Sequence, residues 1–175
     1  MSGGLRSSLE WGAVIVGALA IALLIQAFLF QAYLIPSGSM QPTLDIGDRV
    51  LVNKLSYRSS EPSRGDIIVF KRPPGQPESE IKDLIKRVVG LPGETLEAVD
   101  GQVLVDGEPI DESYLPDRTQ TTNLPQTTVP DHTVFVMGDN RTESFDSRFF
   151  GPIDTDLIEG RAILRIWPLG DFGGL

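Results

Sequence analysis

The apolar and charged positions of this chain divide it into two parts, with the boundary after residue 44. From Trp11 to Leu44 there are 34 consecutive residues without a charged side chain, and 18 of the 22 residues from 12 to 33 are apolar. As a helix, Trp11 to Tyr33 would extend over about 33 Å, which matches a hydrocarbon core of about 30 Å. A cleaved leader would have an apolar core of only about 7–15 residues, so the pattern predicts an uncleaved membrane anchor at 11–33.

The charges that flank this segment suggest its orientation. Arg6 precedes the apolar run, whereas no positive charge follows it until Arg49. Because positive charge favours the cytoplasmic side, we expect a single-pass protein with a cytoplasmic tail at 1–10. The polar remainder, 34–175, would then form an extracytoplasmic domain.

The remainder has the pattern of a mostly β domain. Short apolar runs bounded by Gly, Pro and charged residues predict strands at 49–53, 66–70, 95–99, 102–105, 108–110, 133–137 and 161–167. Asp-Gly pairs at 100–101 and 106–107 predict two tight hairpins. Residues 73–80 and 116–130 have loop composition, and 154–159 is predicted as a short turn or helix.

Charge and residue usage exclude several classes of function. The net charge is −9, and it falls entirely on residues 36–175, so we expect no nucleic-acid partner. There is no cysteine, which excludes disulfides, zinc-thiolate sites and thiol nucleophiles. The single histidine, His132, is predicted as a turn residue, and no metal-binding loop or phosphate-binding loop pattern is present. We therefore expect neither a metal nor an organic cofactor.

The first candidate for chemistry is the segment from Ile35 to Leu44, rich in Ser, Gly and Pro, that follows the predicted anchor. By composition alone it would be interpreted as a linker. Its position favours another reading, because Ser39 is six residues past Tyr33 and lies within about 20 Å of the membrane interface. A nucleophile at Ser39 would act on something at the membrane surface.

The second candidate is Lys86, which follows the apolar pair Leu84-Ile85. A lysine beside an apolar strand is commonly a surface residue whose stem packs on apolar neighbours. If the amine is buried instead, desolvation lowers its pKa and allows it to act as a base. A serine nucleophile needs such a partner, and the sequence offers no suitable histidine.

The third candidate is the loop at 137–148, which contains Gly, Asn, three acidic residues, two serines and two arginines. Pairing between its Asp and Arg residues would by itself explain much of this composition.

These segments, in this order after an N-terminal anchor, resemble the bacterial type I signal peptidases of the Ser/Lys class. The matching stretches are 36–44, 47–48, 64–70, 86–94 and 138–148. The resemblance implies a mostly β catalytic domain at the outer face of the bacterial cell membrane. It also implies that N-terminal signal peptides with A-x-A cleavage sites are removed from exported preproteins, with the lipid bilayer and possible secretion machinery as further partners.

The resemblance also implies residue roles, carried over position by position. Ser39 matches the nucleophile and Lys86 the general base. Ser37 matches the serine whose hydroxyl assists the Ser39 amide in stabilising the oxyanion. Ser144 matches the serine that orients the lysine amine.

Asp146 and Arg148 match a supporting ion pair beside the site. A further group matches positions that line the pocket for small substrate side chains and its edges: Ile35, Met40, Leu44, Leu84 and Ile85. No metal is implied.

The chain departs from the family pattern in two places. Thr142 and Glu143 replace the pair in G-D-N-R-[DN]-N-S, and the stretch from Lys86 to Met137 leaves no room for a large second domain. The residues leave two alternatives. A self-cleaving Ser/Lys repressor protease would need an N-terminal DNA-binding domain, and a catalytically inactive, membrane-anchored β-domain that binds exported proteins would not need Ser39 or Lys86.

Overall fold

The computed structural model describes residues 3–58, 60–75 and 81–175. Its helices and strands, in chain order, are α1 (Gly3–Leu29), β1 (Phe30–Leu34), β2 (Arg49–Asn53), β3 (Ile67–Lys71), β4 (Asp83–Gly90), β5 (Thr95–Val99), β6 (Gln102–Val105), β7 (Glu108–Pro109), β8 (Thr127–Thr128), β9 (Thr133–Met137), α2 (Ser147–Phe150), β10 (Ile153–Asp154), β11 (Ile158–Trp167) and β12 (Gly173–Gly174). Short 3₁₀ turns lie at Gly38–Met40, Thr155–Leu157 and Leu169–Asp171.

The apolar N-terminal segment is helical only as far as Leu29, so the helix predicted to end at residue 33 is four residues too long. Phe30–Leu34 instead form β1, which pairs antiparallel with β2, Phe30 opposite Asn53 and Leu34 opposite Arg49. This ladder satisfies backbone groups at the edge of β2 that a continuing helix would leave open. A short apolar run does not distinguish helix from strand, which explains the misplaced boundary.

None of the helices in the described ranges combines the length and the apolar character needed to cross a membrane. The anchor at 11–33 and the domain division built on it stay predictions.

The larger sheet includes β4, which carries Lys86, and β1 and β2, which precede and follow Ser39 in the chain. Its order is β1-β2-β11-β3-β4-β9-β10, with β12 paired to β11. β3 and β4 pair antiparallel from Ile67 opposite Arg87 to Lys71 opposite Asp83. β4 and β9 pair only from Arg87 onward, opposite Met137. The first half of β4 therefore has a ladder partner on one side, among the described residues.

The smaller sheet, of order β7-β6-β5-β8, contains both predicted Asp-Gly hairpins. Asp100 and Gly101 have φ angles of 50° and 83°, and Asp106 and Gly107 have 52° and 85°. Positive φ at both central residues is the geometry that Asp-Gly favours in tight hairpins, so this prediction is confirmed.

Other strand predictions agree with the structure to within a few residues. The strands at 49–53, 95–99, 102–105 and 133–137 have the predicted bounds, and β11 begins three residues earlier than predicted. The predicted turn at 154–159 contains the 3₁₀ turn Thr155–Leu157, and His132 lies in a turn with φ of 60°. β8 interrupts the predicted loop 116–130, and part of the predicted loop 73–80 lies outside the described residues. The mostly β fold is confirmed.

Three buried clusters form the core. The cluster nearest the predicted nucleophile joins the segment after β1 to β2, β3, β4 and β11, through Ile35, Met40, Leu44, Val50, Val52, Ile67, Val69, Ile85 and Ala162. The second lies under the smaller sheet, and the third packs between β3, β4, β9 and β10. The predicted nucleophile therefore lies on a segment that is fixed by core packing.

We predict that Phe70→Ala lowers the free energy of unfolding by about 3–5 kcal/mol, because Phe70 is fully buried in the third cluster and its loss leaves a cavity. Phe172→Ala is the matched control, since Phe172 is 61% exposed. It should change the stability by no more than about 0.5 kcal/mol. Denaturant unfolding of the full chain in detergent measures both, and equal effects would contradict the assignment of the core.

Candidate active site

The segment that carries Ser39 is a turn that is fixed by backbone hydrogen bonds and by the burial of a neighbouring side chain. Ile35 N–H donates to the Asp48 carbonyl at 2.9 Å, and Gly47 N–H donates to the Ile35 carbonyl at 2.9 Å. Met40, the residue after Ser39, is fully buried. Because Met40 is anchored in the core, Ser39 is presented at the surface of the domain in a fixed orientation.

Lys86 lies on β4 and reaches the hydroxyl of Ser39. Its Nζ is 2.7 Å from Ser39 Oγ and donates to the Ile85 carbonyl at 2.9 Å. The residue is only 4% exposed. The structure thus brings together the two residues predicted as nucleophile and base, and it selects the buried reading of Lys86 over the surface reading.

Burial changes the acid–base behaviour of this amine. Desolvation lowers the pKa of Lys86 from 10.5 to about 8, against the opposing effect of the carboxylates of Asp146 and Asp139. A charged ammonium loses hydration when it is buried, so the neutral form is favoured. The neutral amine is therefore far more abundant near neutral pH than for an ordinary lysine, and in that form it can accept a proton from the adjacent hydroxyl.

The loop after β9 holds the Ser39 turn from the other side. Asn140 N–H donates to the Ser39 carbonyl at 3.1 Å, and Asn140 Nδ2 donates to the Gly38 carbonyl at 3.1 Å. A Cβ added at Gly138 would overlap Ser144 Oγ and the Ser39 carbonyl oxygen. The close approach of this loop to the turn thus requires glycine at position 138.

The ion pair predicted between Asp146 and Arg148 is present. Arg148 Nε donates to Asp146 Oδ1, and a terminal guanidinium nitrogen donates to Oδ2, both at 2.9 Å. Asp146 is fully buried and also accepts from the Gly138 N–H at 3.0 Å. It therefore ties the start of the loop to the start of α2, which it caps through Arg148 N–H.

A second buried ion pair was not anticipated from the sequence. Arg87 donates to both carboxylate oxygens of Asp139, at 2.9 and 2.7 Å, and its guanidinium lies 4.0 Å from the centre of the Tyr114 ring. Thr43 Oγ1 donates to the same carboxylate. Alternation along β4 gave a usable signal, because Arg87 must face away from Lys86, and a buried arginine requires a carboxylate partner.

Arg141 forms a third polar centre that sequence reasoning also missed. Its guanidinium bonds to the Gly138 carbonyl, Thr121 Oγ1 and the Glu112 carboxylate, at 3.0, 2.7 and 2.6 Å. Glu112 lies in the connection between β7 and β8 of the smaller sheet, far from position 141 in sequence. These contacts join the active-site loop to that connection, and local sequence patterns carry no information about such a distant pairing.

Ser37 and Ser144 lie at the site without all of the contacts expected of them. Ser37 Oγ is 3.5 Å from Ser39 Oγ, at the limit of hydrogen bonding. Ser144 Oγ is buried and has no hydrogen-bond partner among the described residues. The structure places both hydroxyls next to the Ser39 turn, but it does not form the predicted bond from Ser144 to the lysine amine.

An open cleft of about 500 Å³ lies in front of the serine–lysine pair. Its walls are formed by Ser37, Gly38, Ser39, Gln41, Arg72, Leu84, Lys86, Asn140, Glu143 and Phe145. Of the residues predicted to line the substrate pocket, only Leu84 is in this wall. Among the described residues, no group of three or more His, Cys, Asp and Glu side chains is arranged to hold a metal ion.

The other predicted pocket residues belong to the core rather than to the cleft wall. Met40 and Leu44 are fully buried, Ile35 is 2% exposed and Ile85 is 7% exposed. All four pack in the same cluster. The physical reason is that the turn around Ser39 must be fixed, and its apolar side chains are the groups that fix it.

A hydroxyl in contact with a buried amine base, on a mostly β domain, is the arrangement of serine hydrolases that use lysine in place of histidine. The sequence profile of the family described as signal peptidase, peptidase S26, matches residues 8–167. The chain belongs to this family.

Individual relatives agree with the family match. Signal peptidase I of Leptolyngbya laminosa is 42% identical over 161 residues, which cover 90% of this chain and 79% of that protein. Probable signal peptidase I-1 of Synechocystis sp. is 45% identical over 162 residues, which cover 90% of this chain and 82% of that protein. A crystal structure of a signal peptidase I from Enterococcus faecalis V583 is 32% identical, with a TM-score of 0.48, and the match covers 58% of this chain and 97% of that one.

We predict that the amine of Lys86 titrates near pH 8, which can be followed by nitrogen NMR of the lysine side chains and assigned by loss of the signal in Lys86→Met. Lys71 is the internal control, because its hydrogen bond and ion pair with Glu159 raise its pKa above 10.5. A titration of Lys86 at or above that of Lys71 would show that the amine is hydrated and not buried.

Proposed function

We propose that this protein is a serine endopeptidase that removes N-terminal signal peptides from exported preproteins by a Ser/Lys dyad mechanism. The observation that carries the proposal is the 2.7 Å contact between Lys86 Nζ and Ser39 Oγ, made by an amine that is 4% exposed. Membership of the family and the names of the relatives, which are signal peptidases, support the substrate class.

The chemistry follows from the positions of the two side chains. Neutral Lys86 accepts the hydroxyl proton as Ser39 Oγ attacks the scissile carbonyl. The oxyanion that forms is stabilised by the Ser39 N–H and the Ser37 hydroxyl, and a donor of this kind contributes about 3 kcal/mol. Lys86 then gives its proton to the leaving amine as the peptide bond breaks. Water then attacks the ester on Ser39 while Lys86 accepts its proton, and Lys86 returns that proton to Ser39 Oγ as the acyl group leaves as a carboxylic acid.

Ser144, Asp146 and Arg148 would act by positioning these groups. The Asp146–Arg148 pair fixes the loop that approaches the Ser39 turn at Gly138. The buried hydroxyl of Ser144 lies beside Gly138 in the same loop and has no partner among the described residues, which leaves it available to the lysine amine during the reaction.

The substrate would bind as an added strand at the first half of β4. Residues 83–86 pair with β3 on one side, and β9 joins the other side only from Arg87 onward. An extended peptide can use such an open edge for main-chain hydrogen bonds, while side-chain pockets set its specificity. The shallow apolar surface at Leu84 suits small side chains, consistent with A-x-A cleavage sites.

We also propose that the chain is anchored in the bacterial cell membrane, with its N-terminus in the cytoplasm and the β domain on the outer face. The support is the charge-free apolar sequence from Trp11 to Leu29, which as a helix covers about 27 Å, and the placement of Arg6. Ser39 lies ten residues after Leu29, so this topology would hold the nucleophile close to the bilayer and to exported chains that interact with secretion machinery.

We predict that Ser39→Ala and Lys86→Ala each lower preprotein cleavage roughly a thousandfold or more, because the nucleophile and its base act as a unit. The matched controls are Ser113→Ala and Lys82→Ala, which change exposed residues of the same types and should cleave at the normal rate. Cleavage is measured on a preprotein in detergent, with circular dichroism to show that each variant is folded. Substantial cleavage by Lys86→Ala would remove the lysine from the mechanism, and no cleavage by any form would favour the inactive β-domain.

We predict that kcat/KM rises with pH through a midpoint near 8 and then levels off. The sign follows from the base: only the neutral amine of Lys86 accepts a proton, and its fraction grows as the pH passes the pKa of about 8. The measurement uses a peptide substrate with no group that titrates between about pH 6 and about pH 9. A rate that is flat or falls over this interval would contradict the role of Lys86 as base.

A further inference from the structure

Glu143 places a carboxylate in the wall of the catalytic cleft. It lines the same cleft as Ser39 and Lys86, and its side chain is exposed to solvent. Among the described residues, that carboxylate has no ion pair and no side-chain hydrogen bond. It therefore does not stabilise the loop, unlike the buried carboxylates of Asp139 and Asp146.

The backbone around Glu143 is held firmly in place. Its own N–H donates to the Asn140 carbonyl at 3.2 Å, and Asn140 in turn donates to the Ser39 carbonyl at 3.1 Å. The next residue, Ser144, is 4% exposed and packs against Gly138. The backbone of Glu143 therefore has a defined position relative to the Ser39 turn, and its exposed side chain extends from that point in the cleft wall.

The other charges of the cleft do not cancel this carboxylate by contact. Lys86 is buried and bonds to Ser39 and the Ile85 carbonyl, and its neutral form is favoured by burial. Arg72, which also lines the cleft, donates to the Ile81 carbonyl at 3.2 and 3.0 Å. The apolar side chains of Leu84 and Phe145 form neighbouring walls, and low-dielectric walls strengthen the field of a charge in a cleft.

We propose that Glu143 is a specificity-determining residue, which favours substrates with Lys or Arg at the middle position of the A-x-A motif or immediately after the scissile bond, and disfavours those with Asp or Glu there. This inference rests on the proposed signal-peptide cleavage. Discrimination arises from attraction of one charge and repulsion of the other by the same carboxylate. Glu143 is also one of the two residues at which the loop departs from the G-D-N-R-[DN]-N-S pattern, and this inference gives that departure a chemical role.

The test compares peptides that are identical except for Lys, Gln or Asp at single positions on either side of the cleavage site. For the wild-type chain we expect kcat/KM to fall in the order Lys, Gln, Asp at one or more of these positions. Glu143→Gln should reduce the Lys-to-Asp ratio by about twofold to fivefold, the range of an exposed charge pair. Glu143→Lys should reverse the order, and added salt should weaken the wild-type preference.

The control variant is Glu108→Gln, which removes the same charge from an exposed position in the smaller sheet. It should leave the preference unchanged. If Glu143→Gln and Glu108→Gln have equal effects on the ratio, or if Glu143→Lys does not change the order, the inference is wrong.

The Gln peptide separates this inference from the proposed function. If the wild-type chain cleaves the Gln peptide and Ser39→Ala does not, the proposed function stands whatever the charge preference. If the wild-type chain fails to cleave any of the peptides and a natural preprotein as well, the proposed function fails, and the inference that depends on it fails with it.

Discussion

The burial of one amine is the constraint on which the rest of the site depends. Lys86 must lose its hydration to have a pKa of about 8, yet two buried carboxylates, Asp139 and Asp146, lie near enough to raise that pKa. Each of them is neutralised by its own bidentate arginine, Arg87 and Arg148. A cation paired with a carboxylate weakens the attraction of that carboxylate for a nearby ammonium, so these ion pairs favour the neutral form of Lys86 as well as the fold.

The same network also positions Ser39. The carboxylate of Asp139 accepts from Thr43 on the Ser39 segment, and Asp146 holds Gly138 where the loop approaches the Ser39 carbonyl. Two parts of the chain that are far apart in sequence are therefore fixed by the groups that set the electrostatics. A change in the loop at 138–148 would alter both the position of Ser39 and the proton affinity of Lys86.

The sequence predicted those features that depend on local patterns or on a recognised order of motifs. The Asp-Gly hairpins and most strands depend on local pattern, and the pairing of Ser39 with Lys86 followed from the order of motifs. The Arg141–Glu112 contact joins distant segments, so no local pattern could reveal it. The family resemblance assigns Met40 and Leu44 to the substrate pocket; their side chains pack in the core, and their part in substrate binding stays a prediction. Proximity in sequence to a reactive residue does not determine which way a side chain faces.

The charge-free run from Trp11 to Leu44 has two physical causes, not one. Up to Leu29 it is a helix whose described apolar side chains are exposed, as at Val14 and Leu19, which are 61% and 59% exposed. From Ile35 onward the chain is uncharged because its apolar side chains fill the core beneath Ser39. The strand β1 joins these regions and fixes the second to the sheet through β2. A charged residue in the first region would affect the proposed anchor alone, whereas a charge buried after Ile35 would disturb the core that holds Ser39 against Lys86.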